Sequence, residues 1–148
     1  MTPMERTLRT LESQVQFRLA LCVAELAAAV DRVRASQNDA EAASVARERS
    51  ASALRATLNR ETANPPLVEA IRSIYRAEAA TALICDAQLE SDRCIERLSR
   101  MELQELRRQE EALRQCLRSE RLAQSWRIAA EEGKVLDDLC LQRFLRRQ

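Results

Sequence analysis

The chain has 148 residues, of which 32% are charged, with 24 basic and 23 acidic side chains, one glycine, three prolines and no histidine. Phosphate-binding loops need several glycines because the backbone must approach the ligand closely, so a single glycine excludes the Walker and dinucleotide-binding motifs. Proteins that bind nucleic acid usually carry a basic excess, and the net charge of +1 therefore argues against a nucleic-acid partner.

The composition favours long helices over any other class of fold. Ala, Arg, Leu and Glu dominate the chain, which is the bias of a coiled coil or a long helical hairpin. No window shows a sustained two-residue alternation of apolar and polar residues, so strands are not expected. The sequence therefore predicts an all-α protein.

A first helix is predicted over about residues 3–62. Thr2 can cap it, Pro3 suits its first position, and Glu5 lies where a capping box needs an acid. An eleven-residue apolar repeat then predicts a nearly straight stripe, or one with slight right-handed supercoil, that faces another helix. Its members are Met4, Leu8, Leu11, Val15, Leu19, Cys22, Leu26, Val30 and Val33.

A hinge is predicted at residues 62–66, because Asn64 precedes two prolines and does not easily stay helical there. A longer second helix follows, over about residues 66–147. Folded back, the two helices form an antiparallel two-helix coiled-coil hairpin that makes residues 1–148 one domain. About twenty residues of the second helix then extend past the first. Because this extension carries Trp126 and Phe144, we expect an intermolecular partner there.

The cysteines and apolar segments indicate a cytoplasmic protein. Five widely spaced cysteines without a CxxC pair suggest small buried side chains in a reducing compartment. The longest apolar run, residues 19–30, is interrupted by Glu25 and is too short to cross a bilayer. Nothing at the N-terminus resembles a signal peptide. We therefore expect no direct membrane insertion.

No catalytic residue, cofactor site or metal site is predicted. General acid-base chemistry at neutral pH commonly uses histidine, or carboxylates shifted by burial in a pocket, and a two-helix hairpin provides neither. Three acidic pairs are most simply solvated helix faces. These are Glu110 with Glu111, Glu131 with Glu132, and Asp137 with Asp138. We expect a protein without enzymatic activity.

Two features, an arginine cluster near the end of the chain and Tyr75, have alternative interpretations. Arg143, Arg146 and Arg147 surround Phe144, where cations either complement the helix dipole or dock a partner. Tyr75, early in the second helix, is either a packing aromatic or a contact residue near the hinge.

The organisation of the whole chain resembles the FliJ/YscO family. The features that carry this resemblance are a capped start, one break near residue 65 and a longer second helix rich in Arg, Glu, Gln, Leu and Ala. Members of that family are the central stalk proteins of flagellar and type III secretion export ATPases, and they include the shorter Hrp-type proteins of plant pathogens. The resemblance implies a non-enzymatic, cytoplasmic protein peripheral to the bacterial inner membrane.

The resemblance also implies partners and sites. The paired helix ends would insert into a hexameric secretion ATPase, the hinge would point toward a membrane export gate, and export chaperones would be escorted. Contacts with the gate would involve Ile71 and Tyr75, while Glu78 and Ala82 depart from the family's apolar character. Contacts with the ATPase would involve Leu8, Leu11, Trp126, Leu136, Arg143 and Phe144.

Two other functions remain open from the sequence. The irregular apolar positions of the second helix could face another protomer, in a structural dimer of hairpins that forms a four-helix bundle. A cytosolic chaperone for an exported helix is the other alternative.

Overall fold

The computed structural model describes residues 2–60 and 64–145, except for the side chains of residues 144 and 145. Within these residues the chain forms two helices and no strand: α1 (Pro3–Leu58) and α2 (Pro65–Leu145). The helices have 56 and 81 residues and pack closely against each other as an antiparallel hairpin. This confirms the predicted all-α fold with a longer second helix.

α1 begins with the predicted cap. The backbone N–H of Glu5 donates to Thr2 Oγ1 at 3.1 Å, and the N–H of Arg6 donates to the Thr2 carbonyl at 3.1 Å. These bonds satisfy two of the amides that a helix start leaves unpaired. The carboxylate of Glu5 binds arginines instead of reaching back to Thr2, so its role differs from that of the acid in a capping box.

The break between the helices comes slightly earlier than predicted. α1 ends at Leu58, where the N–H of Asn59 still donates to the Arg55 carbonyl at 3.1 Å. Residues 61–63, which include part of the predicted hinge, lie outside the described residues. The carbonyl of Asn64 accepts the first bonds of α2, from Leu67 and Val68 at 3.0 Å each. The prolines lie in the first turn, where a missing N–H costs nothing.

Contacts divide the hairpin into two compact units, and each contains parts of both helices. The terminal unit comprises Met1–Ala20 and Gln104–Gln148, and the hinge unit comprises Leu21–Leu103.

In both units, the residues at the helix interface recur every seven positions, so the predicted eleven-residue repeat is wrong. The two repeats share six positions and differ at Met4, Leu11 and Val30, of which Val30 is half-buried. Met4 and Leu11 are exposed, and the neighbouring Glu5 and Glu12 are covered instead. A period of 3.5 residues per turn keeps one face toward a partner helix over many turns, as in a left-handed coiled coil. We call this interface the main seam. It follows every seventh residue from Glu5 and from Leu8 on α1, where Arg47 is exposed, and every seventh residue from Val68 and from Ile71 on α2 as far as Gln124.

One of the two rows that α1 contributes to the main seam of the hinge unit is built from small side chains. On α1 its every-seventh position holds a residue no larger than threonine or cysteine. These residues are Cys22, Ala29, Ser36, Ala43, Ser50 and Thr57. Ala29 is only 1% exposed, and Ala82 on α2 is also buried. Small residues let two helix backbones approach closely, so packing here depends on close contact more than on bulky side chains.

A buried polar pair lies inside the hinge unit. Ser36 Oγ of α1 donates to Asp92 Oδ2 of α2, and Gln88 Nε2 donates to Asp92 Oδ1 at 3.2 Å. The bond from Ser36, then the bond from Gln88, and also the charge of Arg32 hold the pKa of Asp92 below its ordinary value although burial opposes the shift. A buried polar group is costly unless it meets its partner, so this pair favours one alignment of the helices.

The cysteines and the apolar part of α1 differ from expectation. Cys22 is buried and Cys85 half-buried, but Cys94, Cys116 and Cys140 are exposed, so the prediction of small buried side chains is wrong for these three. One 18-residue window of α1 reaches a mean hydropathy of 1.2 and satisfies the length and composition of a membrane span. The expectation that the apolar run of α1 is too short to cross a bilayer, which considered run length alone, was therefore too strict. Such windows also occur in helices of soluble proteins.

Candidate partner-binding surface of the terminal unit

Three polar contacts align the start of α1 with α2 in the terminal unit. Thr2 Oγ1 donates to Glu120 Oε1 at 3.1 Å, and Arg121 Nε donates to Glu5 Oε1 at 3.4 Å. One heptad further into the unit, Arg114 lies 3.7 Å from Glu12. These contacts place the first turn of α1 beside residues 120 and 121 of α2.

Glu5 is the buried member of this arrangement. Burial alone would raise the pKa of Glu5, but the hydrogen bond and charge of Arg9, at 3.0 Å, and those of Arg121 outweigh it. The pKa of Glu5 is therefore lowered below its ordinary value. A carboxylate with a lowered folded-state pKa stabilises the fold above its unfolded pKa of about 4.3, and this contribution is lost as pH falls through the folded value.

Replacing Glu5 with glutamine should flatten the acid dependence of stability. Thermal midpoints measured below pH about 5 should fall less steeply for Glu5→Gln than for the unmodified protein, because the variant has no carboxylate to protonate there. The control is Glu48→Gln, since Glu48 is an exposed partner of Arg55 at 3.4 Å and such pairs contribute little. This control should follow the unmodified curve, and identical slopes for all three proteins would contradict the assigned role of Glu5.

The main seam stops at Gln124. Continuing its seven-residue spacing would place only charged residues at the interface, namely Arg127, Glu131, Lys134 and Asp138. Charged side chains without partners do not form the interior of a helix pair. Accordingly, every residue over 125–143 except the half-buried Gly133 is exposed.

Beyond that point, large apolar residues lie on other faces of α2. One stripe follows Leu122, Trp126 and Leu136, and a second follows Ile128, Val135 and Leu139. All six are exposed, and Trp126 is 74% exposed. We call residues 122–141 the C-terminal apolar segment. Contiguous apolar surface of this kind on an ordered helix is typical of a protein-interaction site.

The residues predicted at the ATPase end have different surroundings. Leu8 is half-buried in the main seam, whereas Leu11, Trp126, Leu136 and Arg143 are exposed. The side chain of Phe144, which was also predicted to bind the ATPase, lies outside the described residues. The stripe of Ile128, Val135 and Leu139 was missed, although its spacing of seven and four residues was readable in the sequence.

The residues predicted at the export-gate end lie in the hinge unit. Ile71 and Tyr75 occupy successive positions of the main seam and are half-buried. Their position agrees with the packing interpretation of Tyr75, and only part of each side chain remains available to a partner. A contact between these residues and an export gate stays a prediction.

One group of possible metal ligands lies in the hinge unit. The ligand atoms of Cys22, Glu25 and Glu102 lie within 4.8 Å of one another. Both glutamates are exposed, and the thiol of Cys22 lies 3.6 Å from the Ser99 carbonyl as a hydrogen-bond donor. Exposed acidic groups are common without a metal, so we assign none here.

Comparisons with known proteins add no relative. The chain matches no protein-family model, no curated protein and no solved structure.

Proposed function

We propose that this protein is the non-enzymatic central stalk of a type III secretion or flagellar export ATPase. In this proposal it works in the cytoplasm at the bacterial inner membrane, where type III secretion can serve virulence. Support comes from the resemblance in organisation to the FliJ/YscO family, together with an antiparallel hairpin whose second helix is longer than the first.

The C-terminal apolar segment is the observation that carries the proposal. It follows directly after the point where the start of α1 lies beside Glu120, and it presents two stripes of large apolar side chains. Charges of both signs, such as Arg127 and Glu131, lie on the opposite side of this part of α2. A partner that covers this segment therefore needs an apolar groove with a mixed polar rim, as protein interfaces commonly have.

The mechanism in this proposal is mechanical. The sides of a hairpin are unequal. When a hairpin is inserted along the axis of a hexamer, its contacts with the six equivalent subunits therefore differ from one subunit to the next. Such contacts favour assembly of the ring and bias the order in which its sites act. This role requires stiffness and a matched surface, and the main seam with the Glu5 and Ser36 contacts supplies the stiffness.

The other end of the protein has further partners in this proposal. The hinge unit would point toward an export gate protein, with Ile71 and Tyr75 at the contact, and export chaperones would be carried by the same complex. These assignments depend on the family resemblance.

The test is a binding and turnover experiment with the export ATPase of the same organism. We expect the purified protein to co-purify with that ATPase and to raise its turnover or its assembly into hexamers. The control is the chain truncated after Gln124, which keeps the whole main seam and removes the C-terminal apolar segment. No binding and no change in turnover by the full chain would contradict the proposal.

A structural dimer is the second candidate, favoured by the same exposed stripes if they pack against another copy. Light scattering combined with Trp126 fluorescence separates the two functions. A dimer with a buried Trp126 favours a structural coiled coil, and an exposed Trp126 in the free protein favours the stalk.

A further inference from the structure

α2 carries a second line of uncharged residues that the hairpin does not cover. It runs from Leu67 to Leu98 in alternating steps of three and four residues, which place its members along one face of the helix. We call it the second seam. Its ten positions are Leu67, Ala70, Ile74, Ala77, Thr81, Ile84, Gln88, Ser91, Ile95 and Leu98. None is charged in a chain with 32% charged residues, and all ten are exposed.

Two of the three polar members of the second seam, Thr81 and Gln88, already have partners within their own helix. Thr81 Oγ1 donates to the Ala77 carbonyl at 3.0 Å, and Gln88 Nε2 donates to Asp92 Oδ1 at 3.2 Å. Covering these side chains would therefore leave the described hydrogen bonds in place. A helix face is easily desolvated when its polar groups are satisfied locally.

The main seam separates the second seam from a charged side of α2. There, Arg72 lies 3.0 Å from Glu69, and Arg93 lies 2.8 Å from Glu90. Surface pairs of this kind contribute little to stability, but they keep that side solvated. The hinge unit thus has one charged side and one uncharged side on its longer helix.

α1 contributes to the same side as the second seam. The ligand atoms of Glu25 on α1 and Glu102 on α2 lie within 4.8 Å of each other, and Glu102 is the next position of the seam after Leu98. On α1, the positions that begin at Glu25 and follow the same spacing hold alanines and four charged residues of alternating sign. The charged residues are Glu25, Arg32, Asp39 and Arg49. Their charges sum to zero.

This arrangement is complementary to itself. In an isologous dimer the same surface of both copies meets across a two-fold axis, and antiparallel contact reverses the order of residues along each helix. Because Ser36 lies beside Asp92, the middle of the second seam lies level with the stretch of α1 between Asp39 and Arg49. Reversal about that point brings Asp39 of one copy toward Arg49 of the other. The uncharged second seam then meets its own equivalent.

The available area suffices for such a pair. The second seam spans 32 residues, or about 48 Å of helix at about 1.5 Å per residue and a width of about 10 Å. Its footprint is therefore about 500 Å² per copy, and both copies together reach the roughly 1,000 Å² expected of a specific interface before α1 is counted.

We propose that the second seam is a self-association surface on which the hinge units of two copies pack antiparallel as a four-helix bundle. The contact uses only residues of the hinge unit and none of the C-terminal apolar segment. This dimer is therefore independent of the proposed ATPase contact.

The test compares two pairs of substitutions by sedimentation velocity over a range of protein concentrations. On the second seam, Ile84→Glu and Leu98→Glu place a charge where the two copies meet. Off the seam, Leu83→Glu and Met101→Glu place the same charge on side chains of equal exposure: 68% for Leu83 against 70% for Ile84, and 65% for both Met101 and Leu98. All four positions are exposed, so circular dichroism should show an unchanged helix content in every variant.

We expect the unmodified protein and both off-seam variants to form dimers. The dissociation constant of the dimer should be at least tenfold higher for each seam variant. A monomeric unmodified protein would overturn the proposal, whatever else the seam then binds. Equal behaviour of seam and off-seam variants would overturn it as well. Dissociation of the dimer by Trp126→Ala would instead assign self-association to the C-terminal apolar segment. Loss of ATPase binding with an intact dimer would contradict only the stalk function.

Discussion

Replacing Trp126 with alanine is expected to weaken binding of this protein to its export ATPase by about 30-fold. Interface tryptophans are frequent hot spots, and truncating one commonly costs about 2 kcal/mol or more of binding free energy, which corresponds to this factor. Trp126 is 74% exposed in the hairpin, so its truncation should leave the fold intact. The measurement is a titration of the labelled protein with the ATPase, accompanied by circular dichroism of the variant.

Control substitutions show which face of α2 the ATPase covers. Leu83→Ala in the hinge unit removes a side chain of similar exposure and should leave the dissociation constant unchanged. Leu136→Ala tests the stripe that contains Trp126, and Ile128→Ala tests the other stripe. Equal affinity of the Trp126→Ala variant and the unmodified protein would remove this segment from the interface.

Replacing Ala29 with leucine is expected to destabilise the hairpin by about 1–3 kcal/mol, the usual cost of inserting extra carbon atoms into a close-packed core. Ala29 is 1% exposed and belongs to the line of small residues that lets α1 approach α2. A larger side chain would separate the helices and disturb their buried contacts, including the bonds to Asp92. Chemical unfolding followed by circular dichroism measures the change.

The matched control is Ala27→Leu, two residues away on an exposed face of the same helix. Alanine and leucine are both good helix formers, so this control should change the free energy of unfolding by less than about 0.5 kcal/mol. If Ala29→Leu raised stability, the interface would have room for larger side chains. The close-packing account of the hinge unit would then be wrong.

Much of the fold was predictable because it depends on local chemistry. The cap at Thr2 and the break at Asn64 and its prolines follow from backbone hydrogen bonding and allowed dihedral angles within a few residues. The apolar character of residues 122–141 is equally visible in the sequence, which predicts contacts for Trp126 and Leu136. The second stripe, which includes Ile128, is exposed as well.

The sequence by itself determined two helices, their approximate ends and the excess length of the second. Only the tertiary structure decided which face of each helix is covered, because that choice depends on how closely two backbones approach and on partners distant in sequence. The apolar pattern favours Leu11, whereas the structure exposes Leu11 and half-buries Glu12, and it buries Ala29 more fully than the half-buried Val30. The bond between Ser36 and Asp92 joins residues 56 positions apart, so no local pattern in either helix could have predicted it.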